Sequence, residues 1–187
     1  FFMVGPNMYT NSGTYYDTLI GSNGCDSTVT TNLTVLSASY PSLFGGEPDS
    51  INNPGGYFNF DRRLVLDCFV PSRIVSAVIY VESAGTLTFE LRDDNGTIIE
   101  SSTQNVLSGS QRVTLNFDLP VGTDYELGID NPAQIGIFRN NSGANYPYNF
   151  GNLASITGST ANSAGYYYFY YDIELAASVT PNVVSLC

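Results

Sequence analysis

The amino-acid sequence predicts an all-β protein: an antiparallel β-sandwich of jelly-roll-like topology, preceded by a small, incomplete β-hairpin or Ig-like module. Short runs with strand-like alternation recur between Gly, Pro and Asn turn signals. No segment shows a helical period over a useful length. The 187 residues are 43% hydrophobic and 13% aromatic, which is sufficient for a packed core. Many short strands at this spacing are typical of a sandwich.

The first predicted element is a hairpin of two strands, residues 14–20 and 27–36, with its turn at residues 22–24. The Asn-Gly pair in this turn accepts the positive φ values that tight hairpins require. In the second strand, apolar residues such as Val29 and Leu33 alternate with polar ones, so one face is apolar. About 36 residues bury too little surface to be stable alone. The module therefore docks on a neighbour, carries a disulfide, or lacks a strand that lies outside the chain, and we favour the last two together.

The sandwich is expected to follow a linker. The predicted division is a partial module at 1–37, a linker and leading loop at 38–56, the sandwich at 57–176, and a C-terminal strand or connector at 177–187. Ser, Gly, Pro and Asn are concentrated in the linker, which is typical of a boundary. The predicted strands of the sandwich span 56–60, 63–69, 73–81, 85–92, 97–102, 110–119, 124–131, 135–140 and 166–175.

The charge balance restricts the classes of partner. The chain has 17 Asp and Glu residues against six basic residues, all Arg, for a net charge of -11. Nucleic acid is not an expected partner, because neutralising its backbone needs clustered cations. No apolar run approaches the length of a membrane span, so membrane insertion is not expected either. A surface with few charges and many Thr, Ser, Asn and Tyr residues suits an extracellular domain.

Catalysis is not expected. The chain has no His, which removes the commonest general base and the usual zinc ligand. A glycosidase with paired carboxylates such as Glu90 and Asp118 has no motif to support it. The prediction is therefore a protein that is not an enzyme and that has no cofactor, with calcium as the one alternative considered below.

Three cysteines, Cys25, Cys68 and Cys187, make an odd number. In a secreted protein, an odd cysteine suggests pairing between molecules or a partner beyond a boundary. Cys68 alternates onto the apolar face with Leu64 and Leu66, which predicts an inert, buried thiol. Cys25 and Cys187 are the candidates for a disulfide, and the sequence alone leaves open whether they pair within the chain, between chains, or not at all.

The N-terminal motifs resemble those of a known class of module. They are Ser12-Gly13-Thr14-Tyr15, Asp17-Thr18-Leu19, Asn23-Gly24-Cys25-Asp26-Ser27 and Leu33-Thr34-Val35. They resemble repeat modules of large secreted and cell-surface, adhesin-like proteins of Bacteroidota, which implies secretion by the type IX route. The likeness implies a non-catalytic structural and adhesive repeat unit, whose partners are neighbouring copies or domains. In such proteins the Cys of this turn has a partner upstream, so we expect the chain to be one period of a tandem array in which Cys187 of one unit pairs with Cys25 of the next.

Residues 57–175 also resemble a jelly-roll module of the same proteins. The likeness depends on segments such as Phe58-Asn59-Phe60, Gly122-Thr123-Asp124-Tyr125 and Phe138-Arg139-Asn140-Asn141, and on the Tyr-rich last strand. Asp172-Ile173 departs from the pattern, which has an aromatic residue after the Asp. Such modules are similar in build to carbohydrate-binding modules, but a fold implies no particular ligand. The alternative function is accordingly a carbohydrate-binding module of a secreted polysaccharide-degrading protein.

Candidate glycan-binding residues occur in two places. Strand alternation over 166–175 directs Tyr167, Phe169, Tyr171, Ile173 and Leu175 to the core and Tyr166, Tyr168 and Tyr170 to the other face. The second set forms a ladder that is able to stack on sugar rings or to pack beneath a neighbour. The loop containing Arg139, Asn140, Tyr146 and Tyr148 combines a cation, an amide and phenols, a mixture found in shallow polar sites; its amides also suit backbone bonding within the loop.

Two further kinds of site are considered. Calcium needs six to eight oxygen ligands, and the candidates are Asp93, Asp94 and Asn95, or Glu47, Asp49, Asn52 and Asp172. The first set is also explained as a hairpin turn. The second kind is O-glycosylation. Thr18, Ser27 and Ser50 each follow an Asp, in tripeptides that resemble the Asp-Ser/Thr-apolar acceptor of O-linked glycans in Bacteroidota.

Overall fold

The computed structural model describes residues 2–21, 24–33, 41–130, 135–161 and 163–178. These residues form strands joined by turns, and no helix occurs among them. The predicted all-β class is confirmed. The described residues belong to two compact units, the first within residues 1–39 and the second within residues 40–179.

Two antiparallel pairs of strands occur in the part of the first unit that the structure describes. They are β1 (Phe2–Val4), β2 (Asn7–Tyr9), β3 (Gly13–Ile20) and β4 (Asp26–Leu33). The β3–β4 hairpin is confirmed, with register from Gly13 opposite Leu33 to Ile20 opposite Asp26. Val29, Thr31 and Leu33 are half-buried and the residues between them are exposed, as alternation predicts. Residues 22, 23 and 34–36 of the predicted hairpin lie outside the described residues.

The described residues of the second unit form thirteen strands. They are β5 (Leu43–Gly45), β6 (Gly55–Phe58), β7 (Arg63–Cys68), β8 (Ser72–Val81), β9 (Gly85–Arg92), β10 (Ile98–Val106), β11 (Gly109–Leu119), β12 (Gly122–Asp130), β13 (Ile137–Asn140), β14 (Tyr148–Phe150), β15 (Ala154–Ser159), β16 (Tyr167–Tyr168) and β17 (Tyr171–Ala177). Three of these, β5, β14 and β15, fall in segments where the sequence analysis predicted no strand.

These strands form the predicted antiparallel sandwich. One sheet has the order β10-β9-β12-β7-β15-β14. The other has the order β16-β13-β8-β17-β5, with β11 also paired to β8 and β6 to β13. Most successive strands from β7 to β13 lie in alternate sheets, as in a jelly roll. The core contains residues from both sheets, for example Leu66 and Phe89 from the first and Ile79 and Ile173 from the second, all at most 1% exposed.

Candidate binding surface

The structure does not contain the predicted tyrosine ladder. The run is not one strand: β16 ends at Tyr168 and β17 begins at Tyr171, and Phe169 and Asp172 have φ values of 73° and 42°. These left-handed conformations interrupt the alternation of faces. As a result Tyr168 is 2% exposed and Tyr170 is 0% exposed, so of the two alternatives for this face the packing one is borne out for these residues and the sugar-stacking one is wrong. The core half of the prediction, Tyr167, Phe169, Tyr171, Ile173 and Leu175, is confirmed as buried.

Two of the buried tyrosine hydroxyls donate hydrogen bonds inside the sandwich. Tyr170 donates a hydrogen bond to the carbonyl oxygen of Gly128 at 2.5 Å, and Tyr171 donates to Oδ1 of Asn140 at 2.8 Å. Burial raises the pKa of Tyr167, Tyr170 and Tyr171 well above the ordinary value, because a phenolate is poorly solvated in the core. These side chains are neutral structural groups at physiological pH.

Asn140 is also structural. It is 0% exposed, and its Nδ2 donates to the carbonyl oxygen of Asn53 at 3.0 Å while its Oδ1 accepts from Tyr171. The prediction that its amide is available to a ligand is therefore wrong. Tyr146 is half-buried and donates to the carbonyl oxygen of Tyr166 at 2.8 Å. Its pKa is raised by burial.

Tyr148 is half-buried and directed towards a carboxylate within the sandwich. Its hydroxyl donates to Oε1 of Glu47 and accepts from the backbone N–H of Asn145 at 2.8 Å. Burial and the hydrogen bond to Glu47 raise the pKa of Tyr148 to about 12. The polar ends of Tyr146 and Tyr148 thus already have protein partners, and the loop's hydroxyls mainly hold the loop in place.

Arg139 and Tyr166, which were also predicted as glycan-binding residues, are half-buried near the surface. Arg139 lies on β13, opposite Gly56 of β6 on one side and opposite Tyr168 of β16 on the other. Its guanidinium carbon is 4.9 Å from the ring centroid of Phe58 and 4.7 Å from that of Tyr166. Both distances are within the range of cation–π attraction. The strand order therefore holds this cation against aromatic rings from two different segments.

Further side chains extend this surface. The Phe60 ring is 66% exposed and lies 5.2 Å from the ring of Phe58. Burial raises the pKa of Tyr168, and the nearby positive charges of Arg139 and Arg62 oppose that rise. We call the group formed by Phe58, Phe60, Arg62, Arg139, Tyr166 and Tyr168 the Arg139 surface.

The two arginines of this surface differ from the other four. Arg63, Arg73, Arg92 and Arg112 each form an ion pair with an Asp or Glu side chain. Among the described residues, which include every Asp and Glu of the chain, no carboxylate side chain pairs with Arg62 or Arg139. Nε and Nη1 of Arg139 are buried and have no hydrogen-bond acceptor there. The unpaired positive charge of a strongly acidic chain is thus concentrated at one place.

A buried ionic cluster was not predicted from the sequence. Arg63 and Glu90, 3% and 4% exposed, are joined by a bond of 3.1 Å from Nη2 to Oε2. Gly128 lies between them on the central strand β12, opposite both residues. A Cβ atom at Gly128 would lie 2.4 Å from Cγ of Arg63, so the glycine provides the space for this side chain. Glu90 also pairs with Arg92 at 2.7 Å, while Asp118 pairs with Arg73 on the other sheet.

The calcium candidates have other partners. Oδ1 of Asp93 accepts the backbone N–H groups of Asn95 at 3.0 Å and Thr97 at 2.8 Å, so this turn satisfies its own backbone. Asp94 accepts from the side chain of Asn95 at 2.7 Å.

The second calcium set is dispersed among different partners. Glu47 accepts from Tyr148, Asp49 accepts from the side chain of Asn52 at 3.0 Å, and Asp172 pairs with Arg112. In the described part of the chain, no three or more His, Cys, Asp or Glu side chains are grouped to hold a metal ion. The structure therefore does not bring either set together as a ligand shell.

The remaining candidates differ in accessibility. Thr18 and Ser27 are exposed and Ser50 is half-buried, and their glycosylation stays a prediction. Cys68 is 2% exposed, which confirms its predicted burial, and burial raises the pKa of its thiol. Cys25 is exposed. Its predicted pairing with Cys187 stays a prediction, because Cys187 lies outside the described residues.

Comparison with known proteins gives no relative: no protein-family model, curated protein or solved structure matches this chain. Across the described ranges, no helix has the length and apolar character needed to cross a membrane.

Proposed function

We propose that this chain is a non-catalytic structural and adhesive unit of a secreted or surface-anchored extracellular protein, an adhesin stalk or a filament. Units are joined by strand complementation and by disulfides. The observation that supports this proposal is the small core of the first compact unit within the chain, the one whose described residues lie within 1–39. Among its described residues, only Val4 and Asp17 are buried.

Exposed apolar side chains in the first unit support the same proposal. Met3 and Met8 are 54% and 59% exposed, and Tyr16 and Ile20 are 73% and 83% exposed. Each described sheet of this unit has two strands. Two-stranded ladders are marginally stable in water, and their outer edges present unpaired backbone groups that accept another strand. A strand from a neighbouring unit supplies both the missing ladder and the missing apolar cover.

Asp17 adds a polar reason for completion. Its Oδ1 accepts Nδ2 of Asn7 at 2.7 Å and the hydroxyl of Tyr9 at 2.5 Å, which joins β3 to the β1–β2 pair. Its Oδ2 is buried and has no hydrogen-bond partner among the described residues. An unsatisfied carboxylate oxygen is destabilising. A donor from an added strand relieves this deficit.

Non-reducing mass analysis of natively isolated material, with peptide mapping of the cysteines, tests the proposed joining. We expect a peptide that links Cys25 of one unit to Cys187 of another, and its loss in Cys25→Ser. Cys68→Ser is the matched control, because its thiol is buried and the link should survive. An intact monomeric mass with no link between units would contradict the disulfide part of the proposal.

A second candidate function is a carbohydrate-binding module of a secreted polysaccharide-degrading protein. The Arg139 surface favours it, since aromatic rings and unpaired donors are the groups that recognise sugars. Retention of the chain on polysaccharide gels tests this function. If the chain binds glycan and has no inter-unit link, the second candidate replaces the first.

A further inference from the structure

We infer that the Arg139 surface binds an anionic polysaccharide, through the carboxylate or sulfate groups of its sugars. This inference rests on the proposed adhesive role and names the class of ligand. Its starting point is the distribution of positive charge. Four of the six arginines have carboxylate partners within the fold, whereas Arg62 and Arg139 have none among the described residues.

The donors of Arg139 are suited to an anion. Stacking on Phe58 and Tyr166 engages the faces of the guanidinium, but its N–H groups lie in the plane of the group and are not satisfied by stacking. Nε and Nη1 are buried and have no acceptor among the described residues, so an anion reaches them only if the rings that cover the group move apart. Planar, bidentate recognition of carboxylate and sulfate-like groups is the characteristic use of such a guanidinium. Asp61, the carboxylate next to Arg62 in sequence, is already paired with Arg63 at 3.1 Å.

The backbone leaves room for a ligand beside Arg139. Gly56 lies opposite Arg139 in the β6–β13 ladder, and a Cβ atom placed on Gly56 would meet no atom within 4 Å. The space above this glycine is therefore open. Phe60, 66% exposed, adds an apolar face to the same surface. A sugar ring that stacks on an exposed aromatic face presents its substituents at the ring edge, where a charged substituent is attracted by the positive charges of this surface.

The net charge determines how this attraction operates. A chain of net charge -11 repels polyanions at long range. At physiological ionic strength the Debye length is about 8 Å, so repulsion from distant carboxylates is largely screened. The short-range attraction of two unpaired arginines then decides the interaction. An anionic polymer should consequently bind at one place on the chain and not over its whole surface.

Isothermal titration calorimetry of the whole chain at physiological salt tests the inference. The probes are polygalacturonate and its fully methyl-esterified form, which share a backbone and differ in the carboxylate charge. Dextran sulfate and dextran provide the corresponding pair for sulfate. We expect binding to at least one charged polymer and loss of binding to its neutral counterpart. The charged polymer that binds identifies the anionic group. Equal binding to the charged and neutral forms, or no binding to either charged polymer, would overturn the inference.

Three variants locate the site. Arg139→Gln removes the cation, and we expect affinity to fall at least ~10-fold, the usual effect of losing a charge-assisted hydrogen bond. Gly56→Val places side-chain atoms in the open space beside Arg139, where its Cβ meets no atom within 4 Å, and should weaken binding by a similar factor. Its unfolding temperature is measured to show that the fold is kept. Arg73→Gln is the control, because Arg73 is exposed and already paired with Asp118 at 2.7 Å. Retention of affinity in both Arg139→Gln and Gly56→Val would overturn the inference.

The test separates this inference from the proposed joining of units. None of these variants alters Cys25 or the β3–β4 hairpin, so a failed titration leaves the disulfide mapping to be judged on its own result. Sedimentation of the same samples reports self-association. If the unpaired arginines instead bind an acidic segment of a second copy, the chain would dimerise without polymer and Arg139→Gln would abolish the dimer. That result would overturn the polysaccharide assignment.

Discussion

Raising the pH should unfold the sandwich through its buried tyrosines. Tyr167, Tyr170 and Tyr171 are all 0% exposed, and burial raises the pKa of each one well above the ordinary value. In the unfolded chain, these phenols ionise near pH 10. Their contribution to stability is therefore complete below about pH 10 and is lost as the pH rises towards their folded pKa values.

The magnitude follows from proton linkage. Each such tyrosine lowers the free energy of unfolding by about 1.4 kcal/mol per pH unit above pH 10, so the three together lower it by about 4 kcal/mol per unit. Domains are stable by about 5–15 kcal/mol, so unfolding should occur within a few pH units. Tyr148, whose pKa is raised to about 12, adds to the same trend.

Tyrosinate absorbance and far-ultraviolet circular dichroism, recorded together against pH, measure this behaviour. The chain has no Trp, so the absorbance change reports tyrosine cleanly. We expect a group of tyrosines to ionise only when the β-sheet signal is lost. Tyr170→Phe should lower the steepness by about 1.4 kcal/mol per pH unit, since one ionisable group is removed. Reversible ionisation of all tyrosines with the sheet signal intact would refute the buried placement of these side chains. The tyrosines would then lie on an exposed face.

Three further changes have defined outcomes. Gly128→Ala should destabilise the sandwich by about 3–5 kcal/mol in denaturant unfolding, because it displaces the buried guanidinium of Arg63 from Glu90. Gly158→Ala is the control and should have little effect, because its added Cβ meets nothing within 4 Å. Asp17→Ala should accelerate amide exchange in β1 and β2 and leave the unfolding midpoint of the sandwich unchanged. Hydrogen bonds from Ser76 and Ser42 lower the pKa of Glu174. Ser76→Ala should therefore raise that pKa in carboxyl NMR titration. It should also move acid unfolding to higher pH, because the stabilisation by this carboxylate is lost as the pH falls through its folded pKa.

Local patterns were sufficient to predict most strands. The predicted range of residues 85–92 coincides with β9, and the ends of the hairpin β3–β4 lie close to the predicted ones. In these elements, alternation and turn residues agree with the tertiary structure. β14 and β15 were missed because the segment around Ala154 is short and rich in small polar residues, so its strand state depends on pairing with β7.

The tyrosine run shows why the candidate site was harder to predict. Six successive aromatic residues satisfy strand alternation, and nothing local in the sequence indicates that Phe169 takes a positive φ. The surrounding packing imposes that conformation, and it buries Tyr168 and Tyr170. Arg139 was correctly chosen as a candidate, but its lack of a carboxylate partner depends on contacts between distant segments, and such contacts cannot be read from sequence spacing.

Amide hydrogen exchange of β3 and β4 tests the central claim most directly, namely that the first unit is completed by a neighbouring copy. The comparison is between the single chain and a tandem chain of two copies. We predict fast exchange of these strands in the single chain. In the tandem chain, β3 and β4 of the second copy should exchange slowly, because the preceding copy supplies the added strand. Slow exchange of β3 and β4 in the single chain, unchanged in the tandem, would contradict the account.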